Sequence, residues 1–143
     1  VKLKDLKKFG IIVKKKPRKK AIQYEDILHE QYFQEMVTRY PEIAKFIYKI
    51  EHRGKRSKQE GALRKRQGVK KGICDFQILS GKKGYHGLYI EFKVIYPDGK
   101  RSYLTPEQKQ FIKNARSQGY KCLEHTDVES AIKDTLEYMG IKK

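Results

Sequence analysis

Asp75, Glu91 and Lys93 are the residues of this chain whose types and spacing point most directly to chemistry. Side chains alternate across a strand. A strand through Gly87–Ile95 therefore puts Leu88, Ile90, Phe92 and Val94 on one face and Tyr89, Glu91 and Lys93 on the other. A charged pair two residues apart inside an otherwise apolar strand is costly to bury without a use. In the segment before it, Asp75 is expected to face away from Cys74, Phe76 and Ile78. A hairpin centred on Lys83, inside the glycine-rich turn Ser80–Gly87, sets Asp75 opposite Glu91. Two carboxylates so placed repel when both are ionised. A divalent cation relieves that repulsion, and oxygen-only donors favour Mg²⁺ or Mn²⁺ over zinc. Such an ion can activate a water and polarise a phosphodiester, while Lys93 holds the nucleophile or neutralises charge developing on phosphate. A structural salt bridge or a solvent-facing edge strand is the competing account of the same spacing.

Two more residues are candidates to complete the site. Glu30, beside Gln34 near the edge of an Ile27/Val37 helix face, is expected to point toward the sheet and add a third carboxylate, although Glu25, Asp26 and Glu35 are equally acidic neighbours. Gln108 shares a helix face with Phe111 and Ile112, and a helix cap accounts for it equally well. His29 next to Glu30 is half of a metalloprotease HExxH, but Phe33 stands where the second histidine is needed.

The elements that must position these groups are legible from periodicity. A first helix spans about Ile22 to Tyr40, with Ile27, Leu28, Phe33, Met36, Val37 and Tyr40 at helical spacing and Pro41 closing it. Phe46–Ile50 reads as a strand, Lys58–Arg66 as a short basic helix ended by Gly68, and Ile73–Leu79 and Leu88–Ile95 as two further strands. Thr105, Pro106 and Gln108 form a helix start with cap, first-turn proline and capping box. That helix runs to Gly119, a strand through Tyr120–Leu123 follows, and Asp127 caps a last helix to Gly140. The order predicts one mixed sheet with helices on both faces. No internal repeat or interdomain linker interrupts it.

The chain has 143 residues, and its 34 Lys and Arg against 17 Asp and Glu give a formal charge of +17. A surface so charged repels itself and calls for a polyanion, of which nucleic acid is the first candidate. The charge is concentrated in a basic arm over residues 1–20 and in Arg53, Lys55, Arg56, Lys58, Arg64, Lys65, Arg66, Lys70 and Lys71. These are the expected phosphate contacts, which position DNA without reading its sequence. Tyr48, Tyr85 and His86 lie near basic segments, where they could stack on open bases. Two cysteines, Cys74 and Cys122, make neither a disulfide framework nor a zinc set, and point to a reducing compartment. No apolar run approaches a membrane span, which excludes a transmembrane or disulfide-rich secreted class.

The chain is similar to the VRR-NUC family of nucleases, and especially its small phage-type members, within the restriction-endonuclease-like PD-(D/E)xK superfamily. The blocks that carry the resemblance are Glu30 with Gln34, Gly68–Asp75, Gly84–Lys93 and Leu104–Lys109, followed by Gly119-Tyr120 and the last helix. It implies an α/β restriction-endonuclease-like core, a mixed sheet with a central antiparallel hairpin flanked by helices, over residues 21–143 after the arm at 1–20. It implies Asp75, Glu91 and Glu30 as ligands of Mg²⁺ or Mn²⁺, Lys93 as the catalytic lysine and Gln108 as a further site residue. The activity implied is a metal-dependent, structure-selective DNA endonuclease of the Holliday junction resolvase kind. It would act as a homodimer on branched DNA in the cytoplasm of a phage-bearing host. One departure is Cys74, where the family has proline; that position supplies no ligand. A nuclease of another class (flap, duplex-site, restriction or homing) and a non-enzymatic nucleic-acid binder are the alternatives.

Overall fold

A computed structural model describes residues 23–51 and 57–141. The basic arm, with the strand expected at Ile11–Val13, and Arg53, Lys55 and Arg56 lie outside the described residues. The elements are α1 (Tyr24–Arg39), α2 (Pro41–Ala44), β1 (Ile47–Lys49), α3 (Lys58–Arg66), β2 (Phe76–Ile78), β3 (Leu88–Phe92), α4 (Pro106–Ser117), β4 (Lys121–His125) and α5 (Val128–Met139). The four strands form one sheet in the order β1-β2-β3-β4. The first two pairings are antiparallel and β3–β4 is parallel, as the α4 crossover requires. This is the mixed restriction-endonuclease-like architecture with a central hairpin. No described helix is long and apolar enough to cross a membrane.

The hairpin register matches the one expected from the sequence. Phe76 pairs with Ile90 and Ile78 with Leu88, which centres the turn on Lys83. Strand alternation then divides the core. Phe76, Ile78, Leu88, Ile90 and Phe92 join Tyr32, Met36, Ile132 and Leu136 under α1 and α5. On the other face Cys74 and Cys122 pack against Ile112 and Ala115 of α4, with Tyr89 and Phe111 against them. Cys74 is thus not a companion of Phe76 and Ile78. The chain bends at Asp75, and β2 begins only at Phe76, so the alternation expected through residue 74 is broken there.

The inward face of α1 is also not the Ile27/Val37 stripe, since both residues are exposed. The buried residues are His29, Tyr32 and Met36, spaced three and four apart. Tyr32 and His29 stack edge-on or tilted against Phe76 and Phe92. The hydroxyl of Tyr32 meets Thr135 Oγ1 on α5 at 2.8 Å. Thr135 gives its own proton to the Ala131 carbonyl, which leaves Tyr32 as the donor and satisfies a buried phenol. Polar-handled aromatics, rather than aliphatics, make this contact face.

Helix ends follow their expected chemistry. Asp127 Oδ1 accepts the Ser130 N–H at 2.8 Å, and Gly140 ends α5 in the left-handed region at φ +78°. Because that side chain satisfies a free N–H at the start of α5, Asp127→Ala is expected to destabilise the protein by about 1 kcal/mol. Urea unfolding monitored by circular dichroism would read it.

Candidate active site

The carboxylates are brought together by the ends of β2 and β3. Asp75 stands just before β2, where its Oδ2 accepts the Phe92 N–H at 2.7 Å and lies 3.2 Å from His29 Nε2 of α1. One aspartate thereby ties the start of β2 to the end of β3 and to the first helix. Glu91, 1% exposed, projects from the opposite face to Ile90 and Phe92. Its Oε1 accepts from Gln108 Nε2 at 2.7 Å and faces Lys93 Nζ at 3.3 Å. Lys93 is itself buried, and its N–H is held by the His125 carbonyl at 2.8 Å. Taking this carboxyl and its lysine partner out of water is costly, and their contact offsets only part of that cost.

Gln108 fills two roles with one side chain. Its Oε1 accepts the Thr105 N–H at 2.9 Å and its backbone N–H donates to Thr105 Oγ1, completing the capping box. The amide nitrogen is then free to reach Glu91. The cap and the site contact are one arrangement, not competing explanations. Gly72 makes room for it: at φ +95°, a Cβ there would stand 2.5 Å from the Glu107 carbonyl carbon and 2.8 Å from the Gln108 nitrogen.

The electrostatics of Glu91 are set by burial and by its charged neighbours. Burial, reinforced by the charge of Asp75, pushes its pKa up to about 8, against the pull of Lys93. Its second oxygen, Oε2, is buried and has no hydrogen-bond partner among the described residues. An orphaned carboxylate oxygen beside a second carboxylate is the donor chemistry that suits a hard cation. Asp75 and Glu91 therefore fit Mg²⁺ or Mn²⁺, an ion usually held by one or two carboxylates with waters and substrate phosphate completing its shell. Among the described residues no group of three or more His, Cys, Asp or Glu side chains is gathered to hold a metal.

Glu30 is not brought to these carboxylates. It is exposed and lines, with Asp26, Phe33, Gln34 and Tyr48, a cavity of about 580 Å³ between α1 and the outer strand β1. The cause is the rotated face of α1: Glu30 lies well round the helix from His29, Tyr32 and Met36. Glu25, one turn before His29, is the acid on the inward side, and its charge reaches Glu91. The spacing of residues 25, 29, 32 and 36 was the available signal for Glu25 and His29, hidden because two of the four are polar. Of the basic residues, Lys58, Arg64, Lys65, Arg66, Lys70 and Lys71 are exposed on or just after α3, a helix with no buried residue.

A solved structure described as "VRR_NUC domain protein" superimposes on this chain with a TM-score of 0.69, covering 87% of this chain and 94% of that one at 24% identity. The fold is that of a VRR-NUC domain. That likeness concerns the backbone framework alone. No protein-family model matches the chain, and no curated protein matches it either.

Proposed function

We propose that the protein is a divalent-metal-dependent DNA endonuclease. The observation that carries the reading is the buried Glu91, partnered on one oxygen by Lys93 and Gln108 and unpartnered on the other, next to Asp75. Asp75 and Glu91 would hold Mg²⁺ or Mn²⁺. When bound, such an ion lowers the pKa of a water and polarises the scissile phosphodiester. The chain's own groups do the rest. Gln108 fixes the Glu91 rotamer, and the Phe92 N–H fixes Asp75. Lys93 supplies a desolvated positive charge where negative charge develops on phosphate, and such preorganised charge is worth most in a water-poor site. Lys58, Arg64, Lys65, Arg66, Lys70 and Lys71 bind the backbone of the nucleic acid without reading sequence.

The substrate we propose is branched DNA, cut in the manner of a Holliday junction resolvase by a homodimer in the cytoplasm of a phage-bearing bacterium. The block-by-block likeness to small phage-type VRR-NUC nucleases supports this. Two-fold symmetry would present one site to each of two strands of a symmetric junction. Labelled duplex, flap and four-way junction substrates, incubated with Mg²⁺ or Mn²⁺, test it. Metal-dependent nicking of the junction in preference to the duplex is the expected result. Equal cutting of all three would keep the nuclease and remove the branch selectivity. Binding without cutting in any metal would leave a nucleic-acid-binding protein.

The helix geometry makes a further distinction testable in the same assay. Glu25→Gln is expected to slow cleavage by about tenfold, the usual scale for a group acting from beyond the ligand shell. Glu30→Gln is expected to leave the rate within a factor of two of wild type, roughly the scatter expected of an exposed surface substitution.

A further inference from the structure

The β2–β3 hairpin turns at the pole of the sheet opposite the carboxylates. Four residues, about 13 Å of strand, separate Glu91 from Gly87, and the turn lies beyond. The N–H of Tyr85 donates to the Lys82 carbonyl at 2.9 Å, with Lys83 at φ +53° and Gly84 at φ +82°. Two central residues at positive φ make the tight hairpin turn that asparagine-glycine suits best. Here its first central residue is lysine, the one non-glycine residue at positive φ among the described residues. Both legs are pinned. The Tyr138 hydroxyl of α5 donates to the Ser80 carbonyl. On the other leg the His86 N–H donates to the Gly119 carbonyl at 2.9 Å, and a Cβ at Gly119 would stand 2.7 Å from the His86 ring.

This rigid turn presents charge. Lys82 and Lys83 are exposed, and Lys121, at the start of β4, holds its Nζ 5.6 Å from the centre of the Tyr85 ring. None of the three forms an ion pair with a described carboxylate. Three unneutralised cations, two on the pinned hairpin and one reaching it from β4, repel each other unless an anion lies across them, and Lys83 holds a backbone conformation a lysine does not favour. We propose that this pole is a second phosphate-backbone clamp, which grips the duplex flank of the substrate at least about four base pairs from the carboxylates. A duplex suits the span because it keeps phosphates at fixed spacing over that distance, which a single strand does not. The substrate class rests on the nuclease reading above; the clamp adds where its flank is held.

The test is fluorescence anisotropy of the full chain on a labelled duplex of about 20 base pairs across a salt series, in Ca²⁺ to prevent cutting. Lys82→Gln/Lys83→Asn/Lys121→Gln is compared with wild type. The slope of log affinity against log salt is expected to fall in magnitude by about 2 to 3, since each lost phosphate contact removes about 0.9. Affinity is expected to fall by about tenfold or more. Lys83→Asn alone places in the turn a residue that accepts positive φ, so its unfolding midpoint should match or exceed that of wild type while its slope drops by about 1. A folded triple variant with the wild-type slope and affinity overturns the clamp alone. A wild-type chain that does not bind duplex overturns the clamp, while the nuclease reading stands or falls separately on metal-dependent cleavage of the four-way junction. Phosphatidylserine vesicles bound by wild type and released by the triple variant, with duplex binding unchanged, would overturn it in favour of a membrane contact.

Discussion

Asp75→Asn is expected to lower metal-supported DNA cleavage by about a thousandfold or more, while the Kd for the same DNA stays within about threefold of wild type. Asparagine is the informative choice because Asp75 has two duties. Its Oδ2 caps the Phe92 N–H at 2.7 Å. Alanine would leave that buried donor unsatisfied, at a cost of about 1–3 kcal/mol, and would confuse an unfolded protein with an inactive one. The amide oxygen of asparagine can keep the bond and removes only the negative charge that a cation needs. Thermal unfolding of the variant should therefore stay within a few degrees of wild type. Cleavage at near wild-type rate by the folded variant would remove Asp75 from the chemistry and the metal-dependent reading with it.

Gly72→Ala is expected to be among the most damaging single substitutions outside the hydrophobic core. Two penalties coincide: a residue at φ +95° and a Cβ 2.5 Å from backbone carbon of Glu107, which cannot swing aside as a side chain would. A loss of about 2–4 kcal/mol follows, with a melting temperature lower by about 10 °C. Gly68→Ala is the matched control. Gly68 has φ +91°, but nothing lies within 4 Å of its added Cβ. It should lose only the conformational term, about 1 kcal/mol. Assayed at a temperature where all three proteins are folded, Gly72→Ala should also cut more slowly, because the clash pushes the first turn of α4 and Gln108 away from Glu91. Equal effects of the two substitutions would show that the Glu107 contact carries no weight.

How much of this was legible in the residues depended on how local the determinant was. The pairing of Phe76 with Ile90 followed from the glycine-rich turn and the two-residue strand period, both written in a dozen consecutive positions. The Thr105–Gln108 cap and the Asp127 cap were equally local. What failed was the choice of helix face. The apolar residues Ile27 and Val37 suggested a stripe that the structure leaves exposed. The buried face instead uses His29, whose Nε2 lies 3.2 Å from Asp75, and Tyr32, whose hydroxyl bonds to Thr135 across the fold. Those partners lie tens of residues away, so the helical spacing of 25, 29, 32 and 36 could not by itself outrank the apolar stripe. The same choice of face put Glu30 toward the sheet, whereas the structure leaves it exposed and turns the half-buried Glu25 toward that side. Cys74 was misplaced for a related reason: a single bend at Asp75 shifts the side-chain alternation, and nothing in the residues marks a bend without glycine or proline.

The double engagement of Gln108 has a consequence for how activity responds to heat and denaturant. First turns of helices fray at free energies well below that of global unfolding. When the opening turn of α4 frays, Thr105 and Glu91 lose their shared partner together, and the Glu91 carboxylate is left to Lys93 alone. Catalytic competence should then decline along a shallow slope that precedes the cooperative melt. Amide exchange at Gln108 would follow the decline more faithfully than any probe of the sheet.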